Sequence, residues 1–351
     1  MHFIKYTILL VAVLLFSCKK AKPGDPEIPV DKLENGFLIL NEGLFQMNNS
    51  GISWVSNPDL SVSNSFFETK TGRKLGDTGN DMKRYGNKIY IVVNVSGTLE
   101  VLDAVTGNPI KQISFVNGSQ SKQPRSIAFF GSKAFVSCFD GYVDVIDTAL
   151  LTIEKRIPVG LNPDQLIASD TRIFVSNSGG LNAPLMDSTL SVIDPIALSE
   201  ETRITVGKNP GQLKVVNGSL FVQVRGNYGS VPAVMKKINP LTYQIIDSYS
   251  FQPVILEKMN SNLLIAYDDN GTIRLGLFDV AANTWSNPNL FDVSNIETLY
   301  SIHYESKNDR IYLFDAHGYT VSGEILEYNA SGNKLREFTV GLNPCALLFF
   351  E

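Results

Sequence analysis

A unit of about 45 residues recurs along this chain, and no other feature restricts its fold as tightly. One copy reads Gln123-Pro124, Ser126-Ile-Ala-Phe-Phe, Gly131-Ser-Lys, Ala134-Phe-Val-Ser-Cys and Gly141-Tyr-Val-Asp-Val-Ile-Asp147. The next opens at Asn162-Pro163, passes Asp170-Thr-Arg and Ile173-Phe-Val-Ser-Asn, and reaches Leu190-Ser-Val-Ile-Asp194. A third opens at Asn209-Pro210, continues through Asn217-Gly-Ser and Leu220-Phe-Val-Gln-Val, and ends a strand at Asn239. Each is a series of short β-branched and aromatic runs cut by Gly, Asn, Asp and Ser, the pattern of antiparallel strands joined by tight turns. Four strands in a unit of this length predict an all-β chain folded as a β-propeller.

The number of blades follows from one recurring residue. Seven third strands close on an Asp or Asn: Asn57, Asp103, Asp147, Asp194, Asn239, Asp279 and Asn329. An Asx side chain there can accept from the backbone two residues on and shape the turn into the fourth strand. The count predicts one seven-bladed domain over 35–351 and makes these side chains turn formers rather than an acid–base set. The ends supply a second check. The chain finishes Asn343-Pro344-Cys-Ala-Leu-Leu-Phe-Phe-Glu351, a first strand without a second. The repeats begin Asn35-Gly36-Phe-Leu-Ile-Leu-Asn41, a second strand without a first. Together they predict a composite blade, its innermost strand from the C-terminus, that closes the ring and pairs its last edges.

Residues 1–17 read as a secretory leader, in which Lys5 precedes an apolar run, Thr7 to Phe16, too short to cross a bilayer. The run ends Leu15-Phe16-Ser17-Cys18 and resembles the bacterial lipobox. That resemblance implies cleavage before Cys18 and its acylation, an anchor that holds a protein to a membrane without spanning it. Loss of Lys5 with the leader moves the formal charge from −5 to −6. Residues 18–34, rich in proline and charge, read as a flexible tether. Lys19 fits retention in the outer membrane, with the cell surface the expected side and the periplasmic side still open. The acidic balance argues against a nucleic-acid partner, which calls for a basic stripe. With 44% hydrophobic and 19% charged residues, disorder is excluded as well.

Arg172-Ile-Phe-Val-Ser-Asn, Leu190-Ser-Val-Ile-Asp and Ile204-Thr-Val-Gly-Lys-Asn-Pro resemble the YVTN-type bacterial propeller repeat. Phe37-Leu-Ile-Leu-Asn-Glu-Gly and Gly86-Asn-Lys-Ile-Tyr-Ile-Val-Val-Asn are similar to segments of the YncE-like, DUF5074-type lipoproteins of gut-type diderm bacteria. Some members of that group bind cobalamin at the cell surface and hand it to a TonB-dependent transporter. The resemblance therefore implies a surface propeller that binds a small molecule, with a corrinoid-like nutrient as the ligand class and such a transporter as partner.

Catalytic chemistry has little to work with. After the leader only His303 and His317 remain, and no His-Glu-x-x-His, phosphate loop or dinucleotide fingerprint occurs. Cys138 and Cys345 lie in apolar strands of non-adjacent blades and read as buried thiols rather than a disulfide or metal pair. Asp268-Asp269-Asn270-Gly271 suggests calcium but lacks the EF-hand spacing and sits where a hairpin turn is due. No cofactor and no metal site is expected.

Loop lengths locate a candidate site. Connections between second and third strands are short around Asn94–Gly97, Phe139–Gly141 and Asp268–Gly271, and long at Asn41–Gly51, Asn177–Ser188, Arg225–Pro232 and Asp315–Gly323. With the composite blade numbered first, the long loops belong to blades 1, 4, 5 and 7 and predict two walls facing each other across the mouth. One wall carries Phe45, Gln46, Met47, Asn48, His317 and Tyr319; the other carries Asn182, Met186, Arg225, Asn227 and Tyr228. The segments leading into each blade add Asp81, Arg125, Gln165 and Gln212 to the floor. Aromatic and amide side chains around a concave mouth suit a bulky, partly polar small molecule, whereas the plainer reading leaves the loops merely solvated. The expected function is non-enzymatic capture of such a molecule. An interaction scaffold for a protein partner is the alternative, and a propeller lyase or lactonase comes third.

Overall fold

The computed structural model describes residues 31–351. They form seven four-stranded antiparallel sheets and one small hairpin. From blade 1 to blade 7 the innermost strands are Pro344–Phe350, Gly79–Tyr85, Pro124–Phe130, Pro163–Ala168, Pro210–Val216, Gln252–Met259 and Leu299–Glu305. Successive innermost strands touch one another around the axis, so the sheets form the expected seven-bladed ring.

Every blade is covered on both sides by its neighbours. That is why the second strands read as continuous apolar runs instead of alternating ones. Phe37, Leu38, Ile39 and Leu40 are all fully buried, as are Ile89, Tyr90, Ile91, Val92 and Val93. The core consists of clusters between blades: Tyr90, Val92, Leu99 and Val101 of blade 2 meet Ile127, Ala134 and Val136 of blade 3. Burying one such side chain stabilises by about 1.5–3 kcal/mol.

Closure follows the expected route. Blade 1 orders its strands Val62–Ser63, Gly51–Ser56, Gly36–Asn41 and Pro344–Phe350, the last two in a register that sets Gly36 opposite Phe350 and Leu38 opposite Leu348. The seam with blade 7 is aromatic: Phe37 lies edge-on to Tyr312 and Phe338, with ring centroids 5.9 and 5.5 Å away.

Six of the seven Asx residues do what the turn argument requires. Asp103, Asp147, Asp194, Asn239 and Asp279 each accept from the amides two and three residues on, while Asn329 accepts from Ser331 and Asn333. Asn57 departs from the pattern. Its Oδ1 accepts from Arg336 of blade 7, and Asp59 takes the Ser61 amide in its place. The composite blade has a two-residue outer strand, so its turn is built differently.

Three features had no sequence signal. A one-turn-and-a-half helix, Phe66–Thr71, follows that short strand and buries Phe66 and Phe67 near Trp54. A hairpin, Val116–Asn117 with Gln120–Ser121, separates blades 2 and 3. Leu33, assigned to the tether, is buried against blades 1 and 2, and its amide donates to the Val105 carbonyl at 2.7 Å. Cys18 lies outside the described residues.

Candidate functional site

Each innermost strand carries a register shift near its start, at the mouth of the ring. The extra residue of a β-bulge leaves the ladder and re-aims its side chain. The shifts fall at Cys345, Asn80, Arg125, Asp164, Gly211 and Tyr300, with Val254 the counterpart in blade 6. Bulging thus gathers residues from blades far apart in sequence at one opening.

Four of those side chains, with Glu42 and Arg225 from second strands and their loops, make a polar chain that runs from blade to blade. Arg225 Nη1 donates to Asp164 Oδ2 at 2.9 Å. Arg125 donates through Nε and Nη2 to Asp164 Oδ1, both at 3.2 Å, and through Nη1 to Asn80 Oδ1 at 2.7 Å. Asn80 Nδ2 donates to Glu42 Oε1 at 3.2 Å, and the Tyr300 hydroxyl donates to the other Glu42 oxygen. Arg125 also lies over the Phe139 ring, 4.6 Å from its centroid.

The two acids respond oppositely to burial. Desolvation would raise the Asp164 pKa, but Arg125 and Arg225 outweigh it and hold the carboxyl below its ordinary range. For Glu42 desolvation wins over Tyr300, Arg125 and Asn80, and its pKa is raised. Tyr300 is pushed up by burial and then by the Glu42 charge. Two guanidiniums share the single Asp164 carboxylate, and Glu42, joined to Arg125 through Asn80, is the second carboxyl group of the chain.

The long loops stand where their lengths predict. In the blade 1 loop, the Asp77 carboxylate accepts from the amides of Gln46 and Asn48 at 3.0 and 3.1 Å, which leaves Phe45 and Met47 exposed. Tyr319 is half exposed and lies edge-on to Tyr300 at 5.8 Å, joining that wall to the polar chain. His317 sits among carboxylates, 3.4 Å from Asp315, 3.4 Å from Glu324 and 3.7 Å from Glu297. Across the mouth Tyr228 is exposed, Met186 is partly covered, and Asn227 Oδ1 folds its own loop by accepting from Gly229 and Val231. Asn182 Nδ2 donates to Asn162 Oδ1.

Of the four floor residues, Arg125 is in the polar chain. Asp81 and Gln212 are staples between blades: Asp81 Oδ2 accepts from Ser126 Oγ and the Ile127 amide, and Gln212 Oε1 accepts from the Leu256 amide at 2.6 Å. The Gln165 amide donates to Ser176 Oγ within its own blade. Asp268 Oδ1 accepts from the Gly271 amide, a tight turn as expected from that segment. Cys138 and Cys345 are free thiols, both pushed up by burial. His303, on an innermost strand, has its pKa lowered by desolvation. Among the described residues no group of three or more His, Cys, Asp or Glu is arranged to hold a metal ion.

A cavity of about 600 Å³ opens beside this chain, between blades 5 and 6. It is lined by Arg225, Tyr228, Val231 and Pro232 of one wall and by Pro253, Val254 and Asp268 of the next blade. The loop lengths predicted a cleft shared by two walls; this cavity belongs to the blade 5 wall alone, because the start of blade 6 and its short loop leave a gap there.

Residues 35–262, more than half of the chain, match the family described as a domain of unknown function, DUF5074. The chain belongs to this family. No curated protein matches it. Among solved structures, this DUF5074 propeller is similar to a quinonprotein alcohol dehydrogenase-like protein from Bacteroides thetaiotaomicron, at 13% identity and a TM-score of 0.69, over 91% of this chain and 79% of that one. It is similar to hydrazine synthase of Kuenenia stuttgartiensis, at 15% identity and a TM-score of 0.61, over 74% and 86% of the two chains. It is also similar to BamB from Moraxella catarrhalis, at 11% identity and a TM-score of 0.51, over 84% and 83%. Likeness at such identities shows the fold alone.

Proposed function

We propose that this DUF5074 chain is a non-enzymatic binding protein of the cell envelope, anchored through Cys18 at the outer membrane. It holds a small molecule at the mouth of the ring and passes it to a TonB-dependent transporter. One observation carries the binding part: the hydrogen-bonded polar chain that starts at Tyr300 ends at Arg225, which lines a cavity of about 600 Å³ with Tyr228 and apolar side chains on its walls. Asn80, which carries no titratable proton, separates the Arg125–Asp164–Arg225 group from the Glu42–Tyr300 pair, and each polar group is held by its neighbours. The anchor rests on Leu15-Phe16-Ser17-Cys18, and the corrinoid-like ligand and transporter rest on the YVTN-type and YncE-like resemblance. Calorimetric titration of the purified protein with cobalamin tests the ligand class. Saturable binding at micromolar concentration is expected, and its absence removes the corrinoid. Mass spectrometry of the mature N-terminus tests the anchor by the added mass of acyl chains on Cys18.

A second reading has its own support. Phe45, Met47, Tyr228 and Tyr319 are large side chains exposed around the same opening, and such residues also suit a protein partner. Replacing loop 41–51 by a short turn separates the two. Loss of a co-purifying outer-membrane protein with small-molecule binding intact would favour the scaffold.

A further inference from the structure

We infer that the ligand is an amphipathic molecule carrying one anionic group, seated between blades 5 and 6 with Arg225 as its anchor. The inference rests on the binding reading above and sharpens its ligand class. Arg225 meets Asp164 through Nη1 only. Among the described residues its Nε and Nη2 have no hydrogen-bond partner. These two N–H groups form the parallel fork that grips a carboxylate, sulfonate or phosphate oxygen pair.

The guanidinium is held in place by what lies under it. A Cβ on Gly211 would stand 2.5 Å from Arg225 Cζ and 2.6 Å from its Nε and Nη2. Only glycine at this bulge lets the plane lie flat against the backbone while Asp164 fixes its far end. Asp164 is shared between Arg225 and Arg125, so it does not occupy the Arg225 fork. Val231, Pro232, Pro253 and Val254 then supply apolar walls and Tyr228 a ring for the body of the ligand. Asp268 on the same lining disfavours a second anionic group and suits donors or a cationic end.

Residues 31–351 contain every strand of the closed ring, so that fragment serves for the test. The probes are 8-anilinonaphthalene-1-sulfonate, an aromatic anion, and N-phenyl-1-naphthylamine, a closely similar body without the charge. The anion is expected to bind saturably with enhanced fluorescence. A charge-assisted bond of this kind is worth about 1.5–3 kcal/mol, so Arg225→Gln should weaken it about tenfold or more. Gly211→Ala, which keeps the charge and displaces the guanidinium, should weaken it in the same direction. The neutral probe should change less than about twofold in either variant, and only the anion should weaken with added salt. Anion binding that ignores both substitutions overturns the inference. If the neutral probe binds and the anion does not, the anionic assignment falls while the binding reading stands. If neither binds, both fall.

Discussion

Replacing Phe350 by alanine tests the closure of the ring at one side chain. Phe350 is 4% exposed, pairs with Gly36 across the closing ladder, and lies 5.9 Å from the Trp54 ring and 5.6 Å from the Arg84 guanidinium. Truncating a buried phenylalanine costs about 3–5 kcal/mol, the loss of transfer energy plus the cavity left behind. A ring of about 320 residues, at about 2.1 cal/mol/K each, unfolds with an entropy near 0.67 kcal/mol/K. The midpoint of thermal unfolding should therefore fall by about 4–7 °C. Circular dichroism measures the midpoint, and Trp54 emission should shift to the red in the folded variant because its neighbour is gone. A fall under about 2 °C with unchanged emission would refute the packing of this strand against blade 1. Deleting 344–351 removes Leu347 and Phe350 together with a whole ladder, and should abolish the cooperative transition near the wild-type midpoint.

The two mouth carboxylates should respond to pH with opposite signs. Asp164 has a folded pKa below its unfolded value, so its stabilisation is present above about pH 4 and is lost as pH falls through the folded pKa. Asp164→Asn should cost several kcal/mol at pH 7, as for one partner removed from a buried ion pair, with the gap narrowing as pH falls below about 4. Glu42 has a raised folded pKa, so its contribution is full below about pH 4 and is lost as pH rises through the folded pKa. Glu42→Gln should therefore look better relative to wild type at pH 8 than at pH 4, read as urea midpoints. Because Cys138 is fully buried and burial pushes its thiol up, a thiol reagent at pH 8 should label that residue slowly in the native ring and fast in the urea-unfolded chain; equal rates would contradict its burial.

The ring was legible in the sequence because blades repeat their local chemistry. Asp147 and Asp194 are followed by the same kind of turn, and the unmatched strands at Gly36 and Pro344 announce their pairing without any tertiary information. The long loops were legible from spacing. The site was only partly so. Arg125, Arg225 and Tyr319 were drawn from the right segments, but Asp164, Glu42, Tyr300 and Gly211 were missed, since a bulge is set by ladder register and leaves no composition signal. Glu42 and Tyr300 meet across 258 positions of chain. Asp81 and Gln212 look identical in sequence to ligand-facing residues, yet their acceptors are occupied by the next blade. Pro124-Arg125 and Pro163-Asp164, a proline followed by a charged residue at the start of two neighbouring innermost strands, were the one available hint.

The chain joins the ring from behind. Leu33 bonds to Val105 in a turn between third and fourth strands, and the Asn35 carbonyl accepts from the Asn57 amide at that same end of the blade. These turns lie on the opposite face from the loops that bear Tyr228 and Tyr319. Force applied through the N-terminal end would run straight into Gly36–Asn41, which is flanked by Gly51–Ser56 on one side and Pro344–Phe350 on the other. A pull along that strand loads both ladders in shear, with many hydrogen bonds sharing the strain at once, and leaves the opening free and turned the other way.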